Sequence, residues 1–577
     1  MPVLVAASLA ACSHGGTSPE QAAAQRFLDA LGRDDAAAAA AATSDRAGAG
    51  DVIASSLKSL GNPSGTLRVT SQHGTSAQYH ASWSVAGTST PWTYQGTLQL
   101  SNNSGAWTVA WTPSAIYPDL GAGQYLLARH TQPPRAQLED AAGQPLFTQT
   151  PVVYVGIEPS QVKNLESLAA TLAATLHISA ADIVKSVKHA PTRDAFVDVI
   201  TLRKPAYEAV RSIIHPLPGT VFRTGTELLG PTSRFAQPLL GHVGTATADI
   251  VKASGGRVRD GDQTGLDGLQ RVFDAQLAGT PGVDIYAADA DGTPVRKLAG
   301  LGAPRPGKPV QLTLDRAVQS AADDALGSVP QSTAIVAVQP STGRILAVAN
   351  SAATPGDIAL AGQYPPGSSY KIVTAEAALA GGRLTAETLE ACPGTKTVDG
   401  RVFVNDDRFD LGTVPLRTAF AMSCNTTFMT LGLALPPTAL GTAARQLGLD
   451  AAWRLPVESF SGSVPPPVGL TEQAADAIGQ GRVLVSPLAM AEAAGAVQAG
   501  RPVAPSLVVG DQAQAGPPLP QQTAATLRDL MRATVTSGRA TELAELPGDI
   551  AGKTGPPNTA SRRRRAHTAG SRATAAI

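Results

Sequence analysis

The sequence lacks an excess of charge of either sign. Its 577 residues include 45 basic and 45 acidic side chains, and charged residues make up 16% of the chain. A net charge of zero provides no global field that would favour nucleic acid or a membrane surface, so no nucleic-acid partner is predicted. Beyond the N-terminus, no segment contains the roughly 18 uncharged apolar residues that a membrane-spanning helix requires.

Cysteine is also scarce, with one residue near the N-terminus and two in the last third of the chain. Cys12 ends an apolar run, and residues 9–12 (LAAC) resemble the lipobox of bacterial lipoproteins, in which the cysteine is lipidated. The basic residues that usually precede such a run are absent, and a start codon assigned too far downstream would explain this. The alternative is an apolar N-terminus with a chance cysteine. We expect residues 1–17 to be a signal remnant and the protein to be exported and lipid-anchored through Cys12 at the outer face of the cytoplasmic membrane.

The other two cysteines are Cys392 and Cys424. An exported protein permits a disulfide bond between them. Two buried free thiols are an equal alternative, because free cysteine behaves as a small apolar residue. The sequence leaves this choice open.

A chain of this length is predicted to contain several domains. Residues 18–116 begin with an Ala-rich helix over 19–42, with Ser18 as its N-cap, and continue with strands that alternate apolar and polar residues. This order predicts a small α+β cone. It holds no convergent polar cluster, so a spacer or docking role is favoured over catalysis.

Two further domains follow along the chain. Residues 130–301 mix short strands with helices and end at a Pro/Gly/Lys linker. Residues 310–555 contain a hairpin of two apolar strands, 333–339 and 344–349, then Ala-rich helices and a late strand. This pattern predicts an antiparallel sheet flanked by helices.

Three short motifs in this last domain carry chemistry when they are taken together. They are Ser368 and Lys371 (S-x-x-K), Ser423 and Asn425 (S-x-N), and Lys553-Thr554-Gly555 (K-T-G). Single matches mean little, since S-x-x-K also occurs at 55–58 and S-x-N at 101–103. The ordered triple within one domain, each member in a suitable local context, indicates one active site.

The first two motifs suit nucleophilic attack on a carbonyl. Ser368 follows a turn and opens a predicted helix, where free N–H groups favour developing negative charge. Lys371 lies one turn further on the same face, and a lysine with a lowered pKa can take the serine proton. Ser423 can relay a proton to a leaving nitrogen, while Asn425 holds Lys371 and the substrate amide.

The third motif suits recognition of the substrate. Lys553 and Thr554 offer a cation and a hydroxyl to a carboxylate. Gly555 has no side chain, so an extended substrate can lie against that strand edge.

These motifs resemble those of penicillin-binding proteins and class A β-lactamases. Class B penicillin-binding proteins are the most similar, as judged from segments 364–368 (YPPGS), 423–428 (SCNTTF), 479–481 (GQG) and 485–489 (VSPLA). Residues 265–279 resemble the end of that family's pedestal, or dimerisation, domain. The N-terminal unit resembles the NTF2-like domain of the methicillin-resistance type of these proteins.

The resemblance implies a multidomain α+β fold with an NTF2-like cone, an elongated pedestal and a β-lactamase-like serine transpeptidase domain. It implies a D,D-transpeptidase that crosslinks peptidoglycan stem peptides, with no metal or organic cofactor and with cell-division or elongation proteins as partners. Ser368 would form the acyl-enzyme and would also be acylated by β-lactams. Lys371 would be the general base, Ser423 and Asn425 would assist, and the K-T-G residues would bind the substrate carboxylate.

Three other functions are compatible with this chemistry. A β-lactam sensor or class D-like hydrolase uses a serine and a lysine, but such hydrolases lack a large pedestal. A non-catalytic scaffold would act through the N-terminal domains alone. A carboxypeptidase would use water in place of an amine to resolve the same acyl-enzyme.

The tail over 556–577 departs from the family. Gly555 is followed by Pro556, a run of four arginines and an Ala/Thr stretch. A basic tail or an anionic-lipid patch is one interpretation. Reading one base earlier, however, lets residues 555–558 encode Thr-Ala-Glu and 566–573 encode a strand typical of the family, which predicts a one-base deletion. We therefore expect the C-terminal strands and closing helix to be missing.

The residue after K-T-G donates a backbone N–H to the oxyanion hole in this family, and Pro556 has none. Loss of one such donor costs on the order of 10²–10³ in rate. The sequence therefore predicts that this chain is inactive or unstable.

Overall fold

The computed structural model describes residues 18–88 and 90–555 and the backbone of 573–576. The chain divides into two compact units, Met1–Ala136 with His242–Pro309 and Gln137–Gly241 with Val310–Ile577. The predicted pedestal, 130–301, thus contributes to both units. Within the described residues no helix is long and apolar enough to cross a membrane. The predicted lipidation site Cys12 lies outside them.

The first part of the chain has the predicted order of helices followed by an antiparallel sheet. Its elements are α1 (Pro19–Gly32), α2 (Ala36–Ala41), α3 (Arg46–Ser59), β1 (Ser64–His73), β2 (Ser76–Ser84), β3 (Trp92–Asn103), β4 (Ala106–Val109) and β5 (Tyr125–Thr131). Strands β1 to β4 pair antiparallel in chain order. Ser18 accepts a hydrogen bond from the backbone N of Gln21 at 3.1 Å, which confirms its predicted role as an N-cap.

The prediction of one helix over 19–42 is wrong, because the chain interrupts it between α1 and α2. Asp34 has a left-handed φ of 60°. The carboxylate of Asp35 accepts a hydrogen bond from Ala38 N at 2.9 Å and starts the second helix. Short polar side chains tolerate this conformation and cap helices well, so two consecutive aspartates can divide an Ala-rich stretch.

The next segment belongs to the second unit. Its elements are β6 (Leu138–Glu139), β7 (Thr148–Ile157), α4 (Leu165–Leu176), α5 (Ala180–Lys188), β8 (Val197–Arg203), α6 (Lys204–Ile214) and β9 (Thr220–Leu229). Strand β7 lies between β8 and β9 and pairs antiparallel with both. Val155 and Ile157 of β7 are fully buried in a core that also contains Leu172 of α4.

The chain then returns to the first unit. The elements are β10 (Val243–Thr245), α7 (Ala248–Ala253), β11 (Gln263–Gly265), α8 (Gly268–Val272), α9 (Asp274–Ala278), β12 (Gly282–Ala288) and β13 (Pro294–Gly300). Strand β12 pairs antiparallel with β5 and β13. Its residues Val283, Ile285 and Ala287 share one apolar core with α1 and with strands β1 to β3.

The remaining elements form the last domain. They are β14 (Val310–Gln311), α10 (Arg316–Leu326), β15 (Ala334–Gln339), β16 (Arg344–Asn350), α11 (Ile358–Ala361), α12 (Lys371–Leu379), β17 (Leu389–Cys392), β18 (Thr395–Val398), β19 (Arg401–Val404), β20 (Gly412–Pro415), α13 (Leu416–Ala421), α14 (Asn425–Leu433), α15 (Ala439–Gln446), α16 (Leu470–Asp476), α17 (Pro487–Ala499), α18 (Gln521–Thr536), β21 (Gly552–Gly555) and β22 (Ala573–Ala576). The hairpin β15–β16 confirms the predicted pair of apolar strands.

Helix α12 lies at the centre of this domain. All of its residues except Ala378 are buried, and Ile372 and Val373 are fully so. A helix that is covered on every side is held in place by its neighbours, here α14, α15, α17 and α18. The domain therefore fixes the position of the residues at the start of α12.

The expectation that the strands after Gly555 are missing needs one correction. Strand β22 pairs antiparallel with β21, with Lys553 opposite Ala575 and Thr554 opposite Thr574. Ladder hydrogen bonds use only backbone groups, so an Ala/Thr segment can supply them without an alternating apolar pattern. The edge of β21 is consequently paired along all four of its residues.

Candidate active site

The predicted nucleophile lies in a tight turn that precedes α12. Residues Gly367–Tyr370 form a 3₁₀ turn, and the α-helix begins only at Lys371. Side chains three residues apart in a 3₁₀ turn lie directly above one another, whereas in an α-helix they are offset. The turn thus brings Lys371 Nζ to 3.0 Å from Ser368 Oγ.

The glycine-containing turn at Gly479 packs against the 3₁₀ turn that holds Ser368. The backbone N of Gly367 donates a hydrogen bond to the carbonyl of Gly479 at 2.9 Å. Gly479 has a φ of 68°, and a Cβ at this position would lie 2.2 Å from Gly367 O. The two backbones therefore touch directly, and only glycine fits at position 479.

The amine of Lys371 joins the first two motifs. It lies within hydrogen-bond distance of four oxygens, namely Ser368 Oγ at 3.0 Å, Ser423 O at 2.8 Å, Ser423 Oγ at 3.1 Å and Asn425 Oδ1 at 2.7 Å. Side chains 52 and 54 residues apart in sequence thus converge on one nitrogen. This geometry agrees with the prediction that Ser368, Lys371, Ser423 and Asn425 lie together in one site.

Ser423 adopts a backbone conformation that serine rarely takes. It links α13 to α14 with a φ of 61°. Such strain costs on the order of 1–3 kcal/mol and persists where the surroundings impose it. The result is that both the carbonyl and the hydroxyl of Ser423 point at Lys371.

Burial makes the amine of Lys371 a base. Its side chain is fully buried, and the nitrogen lies 5.8 Å from the centre of the Phe428 ring. Burial lowers the pKa of Lys371 well below its usual value, the nearby charges of Lys553 and Arg539 lower it further, and Asp406 opposes them. A neutral amine has a free lone pair, so the hydroxyl of Ser368 can donate its proton to it.

The third motif lies on β21, which packs against the 3₁₀ turn of Ser368 and against α18. Lys553 is fully buried and Thr554 nearly so. Burial and the charge of Arg539 lower the pKa of Lys553 to about 7. Its Nζ donates a hydrogen bond to Thr554 O at 2.9 Å, and within the described residues it makes none to Ser368 or Lys371. Gly555 ends the strand, also buried.

Three features of this region were not predicted from the sequence. The first is a disulfide bond between Cys392 and Cys424, which decides the question that the sequence left open. It joins the end of β17 to the residue between Ser423 and Asn425. Since 32 positions separate the two cysteines, no local pattern could indicate the pairing.

The second feature is Arg539, a cation that belongs to none of the motifs. Its backbone N donates to Ala421 O at 3.2 Å, and its guanidinium lies 3.6 Å from Asp406 Oδ2 and 5.1 Å from the centre of the Phe409 ring. Among the described residues, it is the one charge that lowers the pKa of both Lys371 and Lys553. The third feature is Asn405, whose contacts are described below.

Comparison with known families accounts for most of the chain. Residues 18–124 match the NTF2-like N-terminal transpeptidase domain, 130–312 match the penicillin-binding protein dimerisation domain, and 333–575 match the penicillin-binding protein transpeptidase domain. The third match extends through the predicted tail to residue 575.

Individual relatives include penicillin-binding proteins and peptidoglycan D,D-transpeptidases. Penicillin-binding protein 3 of Bacillus subtilis is 24% identical over 69% of this chain and 63% of its own length. Peptidoglycan D,D-transpeptidase PbpA of Mycobacterium tuberculosis is 32% identical over 34% of this chain and 47% of its own length. The chain thus spans less than two thirds of these relatives.

A solved chain from "Structural coordination of polymerization and crosslinking by a peptidoglycan synthase complex" is 26% identical, with a TM-score of 0.56 over 75% of this chain and 82% of that one. The likeness in fold therefore covers three quarters of this chain. This chain is a class B penicillin-binding protein with an NTF2-like N-terminal domain.

Proposed function

We propose that this protein is a D,D-transpeptidase that crosslinks peptidoglycan stem peptides through an acyl-enzyme on Ser368. The observation that carries the proposal is the buried amine of Lys371, which lies 3.0 Å from Ser368 Oγ and 2.7 Å from Asn425 Oδ1. The activity of the related D,D-transpeptidases supports the same reaction class.

In the first half of the reaction, Lys371 takes the proton of Ser368 while Oγ attacks the carbonyl of the penultimate D-alanine. The new C–O bond gives a tetrahedral oxyanion. The proton then passes from Lys371 through Ser423 Oγ to the leaving nitrogen, and the C–N bond breaks to release D-alanine. Ser423 suits this relay because its hydroxyl is 3.1 Å from the amine.

In the second half, the amine of another stem peptide attacks the acyl-enzyme. Ser423 and Lys371 accept its proton, and Oγ of Ser368 leaves with a proton from Lys371. Before the first half begins, Lys553 and Thr554 bind the terminal carboxylate of the donor, which later leaves with D-alanine. An arriving carboxylate would raise the pKa of Lys553 from about 7, so that its side chain becomes a full cation when the substrate is present.

β-Lactams would acylate the same serine. Because Pro556 cannot donate an N–H, we propose that this chain reacts more slowly than a chain with an ordinary residue there. The slow step would be formation of the oxyanion.

The test of the reaction class is an exchange assay with the 577-residue chain. A D-Ala-D-Ala pentapeptide serves as donor and a labelled D-amino acid as acceptor, and mass spectrometry follows the products. We expect the labelled acceptor to replace the terminal D-alanine, and this product to be lost in Ser368→Ala. D-alanine release without acceptor joining would contradict a transpeptidase and favour a hydrolase.

We propose that the protein is exported and held at the outer face of the cytoplasmic membrane by a lipid on Cys12. The test is metabolic labelling with a palmitate analogue in the parent and in Cys12→Ala. We also propose that cell-division or elongation proteins are its partners, and co-purification from cells that produce the tagged chain would identify them. A parent chain that carries no palmitate label would contradict the lipid anchor. Purification of the tagged chain without any cell-division or elongation protein would contradict the proposed partners.

A further inference from the structure

One buried amide lies beside the active site without belonging to any motif. Asn405 follows β19 and is 1% exposed. Its Nδ2 donates hydrogen bonds to the carbonyls of Pro393 at 3.0 Å and Phe409 at 2.9 Å. Its Oδ1 accepts from two backbone N–H groups, those of Asn425 at 2.8 Å and Thr426 at 3.1 Å. All donor and acceptor groups of this side chain are therefore satisfied.

Through these contacts, Asn405 caps the N-terminus of helix α14, although it belongs to a different part of the chain. Helix α14 begins at Asn425, and its own N-cap residue, Cys424, makes no side-chain capping hydrogen bond. The first N–H groups of a helix have no partner within it and are costly to bury unpaired. Asn405 fills this role from a loop that lies 20 residues earlier in the chain.

The same loop also holds the side chain of Asn425. The Nδ2 of Asn425 donates to the carbonyl of Val404 at 2.9 Å, and its Oδ1 then faces the amine of Lys371 at 2.7 Å. Val404 and Asn405 thus fix both the backbone and the side chain of Asn425. A continuous set of hydrogen bonds leads from Asn405 through Asn425 to Lys371 and Ser368.

We infer that Asn405 is a positioning residue for acyl transfer, which acts through Asn425 on the orientation of Lys371. The expected effect of Asn405 on the rate of acylation rests on the proposed function. Reacting groups that are misplaced by about 1 Å can lose roughly 10²-fold in rate, so a loosened Asn425 should be visible in kinetics.

The experiment compares Asn405→Ala with a matched control, Gln473→Ala. Gln473 is another buried amide, and its Nε2 donates to Gly432 O at 2.9 Å and Leu435 O at 2.8 Å, at the opposite end of the same helix. Both variants lose buried hydrogen bonds to α14, so both should lower the melting temperature. We expect only Asn405→Ala to lower the rate of penicillin acylation, by roughly 10-fold to 10²-fold. Equal acylation losses in the two variants, or no loss in Asn405→Ala, would overturn the inference.

A third variant, Asn405→Asp, gives a readout that a structural role alone would not move. It keeps an acceptor for Asn425 N and Thr426 N, loses the two hydrogen bonds that Nδ2 donates to Pro393 O and Phe409 O, and adds a carboxylate next to the site. The charged groups that act on Lys371 are Lys553, Arg539 and Asp406. One more anion should raise the pKa of Lys371 and shift the acid limb of the acylation profile to higher pH. An unshifted profile would contradict the link to Lys371.

A separate measurement distinguishes failure of this inference from failure of the proposed function. If the parent chain is not acylated at all, the proposed function fails. Hydrogen exchange at the amides of Asn425 and Thr426 then decides the inference. Exchange should accelerate in Asn405→Ala and not in Gln473→Ala, and unchanged protection in Asn405→Ala would refute it.

Discussion

The contact between Gly479 and Gly367 predicts a large kinetic effect from one methyl group. A Cβ at position 479 would lie 2.2 Å from Gly367 O and 2.8 Å from Gly367 N. Carbon atoms make comfortable contacts at about 3.5 Å, so Gly479→Ala must move the two backbones apart by about 1 Å. Because Ser368 follows Gly367 directly, this displacement reaches the nucleophile.

The magnitude has two parts. An alanine in the left-handed region costs about 1–2 kcal/mol, and loss of the Gly367–Gly479 hydrogen bond costs about 1 kcal/mol more. The stability loss is therefore about 2–3 kcal/mol. Displacement of the serine by about 1 Å should lower the acylation rate roughly 10²-fold.

Gly500→Ala is the control for backbone strain alone. Gly500 ends α17 with a φ of 72°, and no atom lies within 4 Å of its ideal Cβ position. Both variants should lose stability from strain, but only Gly479→Ala should lose acylation. The assay is the second-order rate constant for a fluorescent penicillin, with thermal unfolding in parallel. Acylation of Gly479→Ala at the parental rate would refute the argument that this contact positions Ser368.

Three further predictions follow from other parts of the structure. Replacing Cys392 and Cys424 by serine should destabilise the fold by about 3–4 kcal/mol, because the disulfide closes a loop across a sequence separation of 32; an unchanged melting temperature would contradict this. Burial raises the pKa of Glu492 from 4.5 to about 8, so its stabilising contribution is complete below pH 4.5 and is lost as the pH rises to about 8. At pH 4 we therefore expect Glu492→Gln to unfold at the same temperature as the parent, and at pH 8 at a clearly higher one. An equal difference in melting temperature at the two pH values would contradict a raised pKa for Glu492. Pro556→Ala restores a backbone N–H and should raise the acylation rate by roughly 10²–10³, whereas an unchanged rate would show that this position donates nothing to the oxyanion.

The sequence could predict those parts of the site that depend on local spacing. Ser368 and Lys371 are three residues apart, so any helical turn brings them to one face, and the hairpin β15–β16 follows from apolar strands around a Pro/Gly turn. The motif order then identified the family, which supplied the expected partners of Lys371.

The remaining features depend on contacts that no local pattern encodes. Asn405 lies in a polar stretch typical of an exposed loop, and only the fold brings its amide to the start of α14. Arg539 acts on two lysines through charge, over distances that sequence does not define. Strand β22 was missed for a different reason, because backbone pairing with β21 does not require an alternating apolar pattern.

The most direct test of the central claim is to locate the acyl group. The 577-residue chain is incubated with a penicillin for hours, and intact mass followed by peptide mapping identifies the modified residue. We predict one adduct, on the peptide that contains Ser368, and none in Ser368→Ala. An adduct on another residue, or no adduct on the parent chain, would contradict a serine acyl-enzyme built from Ser368, Lys371, Ser423 and Asn425.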